Sequence, residues 1–152
     1  MKLAEALIQR AKCQERIAQI KDRLIASAKI QEGDTPPELP TELFAELDQL
    51  CAEQERLMQQ INRTNTLTEF EAGKSISDAL ATRDMLKIRQ SINRQVARAG
   101  VIEQSRYSRS EIRFVSTVEI ASLLKQADDM SKWYRDLDIR IQCLNWTTDL
   151  VE

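Results

Sequence analysis

Apolar residues recur along most of the chain at alternating steps of three and four, the spacing that keeps one side of an α-helix dry. Residues 2–31 carry Leu3, Ala6, Cys13, Ile17, Ile20 and Leu24 in this rhythm, interrupted by Arg10. Residues 41–65 carry Leu43, Leu47, Leu50, Gln54, Leu57 and Ile61. Residues 76–99 carry Ile76 and Leu80, then Met85, Ile88, Ile92, Val96 and Ala99. The most regular run, 117–146, holds Leu123, Ala127, Met130, Tyr134, Leu137, Ile141 and Leu144. Near-heptad spacing favours long helices packed side by side. The pattern predicts an all-α fold: four long amphipathic helices in an elongated antiparallel bundle, forming a single helical domain over 1–152.

The breaks agree with the stripes. All three prolines (Pro36, Pro37, Pro40) fall in one stretch, and the glycines are Gly33, Gly73 and Gly100; proline removes a backbone donor and glycine admits positive φ, so both punctuate helices. Thr41 is placed to cap the second helix, Ser75 with Asp78 the third, and Ser116 with Glu119 the fourth. Gly33 and Gly100 follow helices one and three, with Lys29 and Arg98 near the negative end of the helix dipole. The connections 66–75 and 107–116 are less loop-like. Ile112 and Phe114 alternate with polar neighbours, and Leu67 and Phe70 flank Ala72-Gly73, which predicts a small β-ribbon formed by these two connections.

Composition narrows the function classes. Hydrophobic residues at 42% and charged residues at 30% suit a folded, soluble chain. The N-terminus lacks an unbroken apolar core of a secretory signal, and no run approaches the roughly 18 apolar residues of a transmembrane helix. Cys13, Cys51 and Cys143 are odd in number and far apart, the pattern of reduced thiols in a cytoplasmic protein. Histidine is absent, so Ser/His/Asp and Cys/His nucleophilic machinery and His-ligated metal sites are excluded.

Charge is unevenly distributed although the net charge is only −2. Residues 1–31 hold seven Lys/Arg against three Asp/Glu, and 32–61 hold one against eight. Residues 83–113 hold eight against three, and 114–152 four against seven. A basic helix followed by an acidic one can pair as an antiparallel hairpin, within one chain or between chains, and the pattern bears on orientation more than on stability.

No catalytic, cofactor or metal constellation stands out. Gly73-Lys74-Ser75 resembles the tail of a phosphate-binding loop, but Thr68 occupies the position of the required earlier glycine, so a turn before a helix is the better reading. Asp128 and Asp136 precede Lys132 and Arg140 by four residues, the ion-pair pattern of a solvated helix face. The cysteines lie on or beside the stripes, which suggests core packing. Trp133 is placed to cover a core edge, and Trp146 to anchor the C-terminus or a neighbouring subunit. The best site candidate is RYSRSEIR: Arg106, Tyr107, Arg109 and Arg113, with Ser108 and Ser110, offer forked cations and hydroxyls suited to a phosphate or carboxylate. The polar run Asn62, Arg63, Thr64 and Asn65 can lie at the same end. The same groups serve equally well as an inter-subunit lock.

The stretches INRTN at 61–65, FEAGKSISDAL at 70–80, RYSRSEIRFV at 106–115, KQADDM at 125–130 and NWTTDL at 145–150 resemble a family of small uncharacterised bacterial proteins, sometimes labelled septicolysin-like. The resemblance spans nearly the whole chain, with Ser116 where that family would carry proline. It implies a helical fold and brings no catalytic residues. The lysin label implies membrane damage, which evenly charged outer helix faces do not favour. The sequence points to a non-enzymatic structural or interaction protein, with self-association expected from apolar residues outside the main stripes: Leu7, Ile8, Ile25, Phe44 and Leu86. The alternative is binding of a small anion, phosphorylated ligand or nucleic acid through the basic 83–113 region. Few aromatics lie there to stack on bases, which disfavours nucleic acid.

Overall fold

A computed structural model of the chain describes residues 1–103 and 112–152. It is mainly helical: α1 (Leu3–Ala26), α2 (Pro40–Leu67), β1 (Glu69–Glu71), β2 (Lys74–Ser75), α3 (Ile76–Ala99) and α4 (Ile120–Thr147). The chain divides into two compact units, Met1–Ile76 together with Gln142–Glu152, and Ser77–Ile141.

In the first unit α1 and α2 form an antiparallel hairpin. Cys13 lies against the Leu50 carbonyl, Arg16 pairs with Glu46 at 3.3 Å, and Arg23 binds Glu38, so residue numbers rise on one helix as they fall on the other. The basic and acidic helices thus pair within one chain. Cys13, Ile20, Leu43 and Leu50 form a buried cluster, with Ile17, Leu24 and Leu47 packed against it. Leu3, Ala6, Leu57 and Ile61 are also buried. These are the predicted stripe positions, and each fully buried Leu or Ile contributes about 1.5–3 kcal/mol. Arg10 Nε and Gln54 Oε1 are buried without a partner among the described residues; they are the polar members of the two stripes.

The helix ends differ from expectation. α1 stops at Ala26 rather than near residue 31, because the chain tightens there: the Ser27 amide reaches both the Arg23 and Leu24 carbonyls. Arg23, not Lys29, occupies the last turn, and Gly33 serves a later turn at φ 90°. α2 begins one residue before Thr41, with Leu39 at the cap and Pro40 as first helical residue; proline's fixed φ and absent N–H suit that position. After α2, the antiparallel strands pair Glu69 with Ser75 and Glu71 with Lys74, turning through Gly73 at φ 77°. Both strands come from the 66–75 connection. Residues 112–116 form no strand, and 107–111 lie outside the described residues.

In the second unit α3 and α4 run antiparallel. Arg83 binds Asp138 at 2.8 Å, Ser131 Oγ donates to Gln90 at 2.8 Å, and Arg94 binds Asp128 at 2.8 Å. α4 presents its expected stripe, with Ala127 and Ile141 buried and Leu123, Met130, Tyr134 and Leu137 half-buried. α3 does so only at its start, where Ile76 is buried and Leu80 half-buried. Its sheltered positions further along include Ala79, Arg83, Leu86, Gln90, Asn93 and Ala97, a heptad seam of small and polar side chains around Leu86. The predicted core residues Met85, Ile88, Ile92 and Val96 are exposed, as is Ala99. Hydrogen-bonded polar pairs determine which face of α3 meets α4, and the apolar stripe is left outside. Gly100 belongs to the same seam: a Cβ there would sit 2.8 Å from the Val118 side chain, so glycine is required by close approach. α4 starts at Ile120 rather than 117, with Ser116 Oγ donating instead to the Val118 carbonyl at 3.1 Å.

Candidate functional site

The predicted polar cluster is only partly described. Arg106, Tyr107 and Arg109, with Ser108 and Ser110, lie outside the described residues. Arg113 is exposed in the second unit. Asn62, Arg63 and Asn65 lie on the last turns of α2 in the first unit, Asn62 and Arg63 exposed and Asn65 half-buried. Arg63 donates to the backbone carbonyl of Glu152.

That bond belongs to a polar lock within the first unit. Thr64 is fully buried; its hydroxyl donates to the Gln60 carbonyl at 2.7 Å and accepts the Val151 amide at 2.9 Å. The tail then pairs with the chain's beginning: the Leu3 amide donates to the Thr148 carbonyl and the Leu150 amide to the Met1 carbonyl, both at 2.9 Å. Lys2 Nζ reaches the Thr147 carbonyl at 3.0 Å and Asp149 at 2.8 Å. The hydrogen bond from Lys2, with its positive charge, holds the Asp149 carboxyl below its ordinary pKa. Asn145 is buried beside this closure. The sequence marked INRTN and NWTTDL as one resemblance; here Thr64 and the NWTTDL residues fasten the ends of α1, α2 and α4. Trp146 is exposed, and backbone bonds, not its ring, anchor the tail.

The second unit holds a second polar network. Asn93 is buried; its amide donates to the Leu123 carbonyl at 3.4 Å and to Gln126 at 3.3 Å, and it accepts Arg89 Nε at 3.2 Å. Arg83 is held between Asp138 and Asp84; burial works against its charge, but the hydrogen bonds it donates to these carboxylates outweigh that and raise its pKa. Arg83 and Arg94 are therefore committed to carboxylates within the unit. Asp128, expected to pair with Lys132, binds Arg94 instead, while Lys125 and Asp129 form an i,i+4 pair at 3.0 Å.

Of the cysteines only Cys13 is buried, and Cys51 and Cys143 are exposed. Cys51 follows core residue Leu50 and so points about 100° away from it. Burial, then the Glu53 charge, raises the Cys13 thiol pKa and keeps it protonated. Gly73-Lys74-Ser75 is the turn and second strand of the ribbon, with Lys74 on Glu71 at 3.1 Å. Trp133 is more exposed than expected and lines a shallow groove with Arg89, Gln126, Asp129 and Met130.

The feature that sequence reasoning misplaced is the outer face of α3. Periodicity located the stripe but not its side. The signal that could have found it is the competing heptad Ala79, Arg83, Leu86, Gln90, Asn93 and Ala97, whose polar members match Asp138, Ser131 and Gln126 on α4. Among the described residues no helix is long and apolar enough to cross a membrane.

Comparison with curated proteins finds no match. A crystal structure of a functionally unknown conserved protein from Corynebacterium diphtheriae is 44% identical, with a TM-score of 0.92 over 99% of each chain. Residues 10–150 match a family of unknown function, DUF6847, and the chain belongs to that family.

Proposed function

We propose that the chain is a non-enzymatic cytoplasmic interaction protein that works by self-association through its helices. The observation that carries this reading is the inversion of α3, whose mostly small and polar seam packs on α4 while Met85, Ile88, Ile92 and Val96 face water. A helix that buries its polar side and exposes its apolar side is suited to a further partner helix. In the first unit, Phe44 and Met58 are exposed on α2 and offer a separate apolar surface for contact. Sedimentation equilibrium at micromolar concentration should give a mass at least twice the 17.5 kDa of one chain. A single-chain mass across the whole concentration range would refute self-association.

The anion reading rests on Arg106, Arg109 and Arg113 with Asn62, Arg63 and Asn65. Since Arg83 and Arg94 are already neutralised, it draws on fewer cations than the sequence count suggested. If Arg109 and Arg113 hold an anion, sulfate should raise the melting temperature of the wild type but not of Arg109→Ala/Arg113→Ala, beyond the effect of chloride at matched ionic strength. If they form an inter-subunit lock, the same double substitution should lower stability or dissociate the oligomer without added ligand.

A further inference from the structure

The outer stripe of α3 reads nearly the same in both directions. Ala81, Met85, Ile88, Ile92, Val96 and Ala99 run small, large, large, large, medium, small, with their midpoint at residue 90. The four inner members are exposed: Met85 by 58%, Ile88 by 51%, Ile92 by 48% and Val96 by 39%. At 100° per residue the stripe lies roughly 140–150° around the helix from the seam that meets α4, so a partner on it need not disturb that packing.

We propose that this stripe is a two-fold interface in which α3 packs antiparallel against α3 of a second copy; the inference rests on the self-association reading above and names its surface. A two-fold axis near residue 90 sets Ile88 against Ile92 of the other copy, Met85 against Val96, and Ala81 against Ala99. The same axis brings Asp84 beside Arg98 of the other copy, and does so twice, because an isologous contact repeats every pair. Both residues are exposed on one flank of the stripe, and the Asp84 carboxylate, held by Arg83 at 3.1 Å, keeps 60% of its side-chain exposure. Parallel pairing would instead leave Asp84 and the other copy's Arg98 about 21 Å apart along the axis, so this pair forms only in the antiparallel arrangement. Charge complementarity therefore selects the antiparallel orientation.

The area is of the right size. The four α3 side chains with exposed Trp133 leave roughly 500 Å² of mostly apolar surface, close to the apolar share of an interface burying about 800 Å² on each partner. A shallow groove of about 460 Å³ lined by Ala81, Thr82, Met85, Leu86, Arg89 and Met130 borders the stripe and gives the partner's side chains a recess.

Sedimentation equilibrium of the 152-residue chain and three variants tests this, with helicity monitored by circular dichroism. Ile88→Asp alters an exposed side chain, so the chain should stay folded while its dissociation constant rises at least a hundredfold. Arg98→Asp places two carboxylates together at each end and should weaken association about tenfold, whereas Asp84→Arg/Arg98→Asp should restore it to within about threefold of wild type. Should Ile88→Asp associate like the wild type, another surface joins the copies: this inference fails and self-association stands. Failure of the double exchange to recover what Arg98→Asp loses would overturn the antiparallel register. A wild-type chain that stays monomeric at all concentrations would overturn both readings.

Discussion

Thr64→Val removes one hydroxyl from the lock that holds the tail and little else. Valine matches threonine in volume, and position 64 is fully buried, so no sizeable cavity opens. What is lost is the acceptor 2.9 Å from the Val151 amide. An unsatisfied buried donor costs about 1–3 kcal/mol, and Val151 is only half-buried, so water can recover part of this; about 1–2 kcal/mol is expected. For a chain of this size that corresponds to a melting-temperature drop of about 2–8 °C. Thr64→Ser keeps the hydroxyl and deletes a methyl, at about 1 kcal/mol. Melting temperature alone will not separate the two variants. Amide hydrogen exchange will: Leu150 and Val151 should lose protection in the valine variant and keep it in the serine variant, since only the former unfastens the tail. Equal protection of Val151 in Thr64→Val and wild type, with an unchanged melting temperature, would show that the hydroxyl does not hold the tail.

Leu57→Ala, at a fully buried site, should cost about 2–5 kcal/mol in urea unfolding, and Leu137→Ala, half-buried on α4, distinctly less. Asn93→Ala should destabilise by about 1–3 kcal/mol, because the Leu123 carbonyl and Gln126 lose a sheltered partner. Acid should unfasten the first unit in a defined direction. The Arg23 hydrogen bond to Glu38 and the Lys2 hydrogen bond to Asp149 depress both carboxyl pKa values, so their contribution is complete above the ordinary carboxylate range. It fades as pH falls through the depressed folded values. Glu38→Gln/Asp149→Asn should flatten that acid limb of a stability–pH curve without changing its neutral plateau slope.

Four helices were legible because sequence signals of different range agreed. In α1 and α2 the heptad rhythm, the opposite charges and the proline-rich connection all specify one hairpin, and the buried set follows the stripe. Helix ends were less legible, because backbone geometry competes with side-chain caps. Proline at the first helical position displaced Thr41, and a tight turn at Ser27 ended α1 before Gly33 was reached. The ribbon was placed correctly at 66–75, where Gly73 supplies the positive φ of a turn. The alternation at Ile112 and Phe114 produced no strand, since two residues of alternating polarity do not supply a pairing partner.

The polar residues around Thr64 were legible as an anion cluster or an inter-subunit lock but not as a lock within one chain, because their partners lie more than eighty residues away in the tail. Nothing local in NWTTDL announces that its backbone will meet Met1 and Leu3. The outer face of α3 shows the opposite failure: the pattern was visible and its meaning inverted. Apolar periodicity says that a stripe will be covered, and it does not say by which chain. On α3 the polar seam has its own partners on α4, each joined by a hydrogen bond or ion pair. Turning α3 to bury its apolar stripe against α4 would carry Arg83, Gln90 and Asn93 into water and leave Asp138, Ser131 and Gln126 of α4 facing apolar side chains. Leaving one such sheltered polar group unsatisfied costs about 1–3 kcal/mol. Three together rival the gain from covering the exposed half of Met85, Ile88, Ile92 and Val96, since full burial of one such side chain is worth about 1.5–3 kcal/mol. A second helix laid on the outer face keeps both contributions. That is the physical reason we propose an external partner for the stripe, and the sedimentation series decides it.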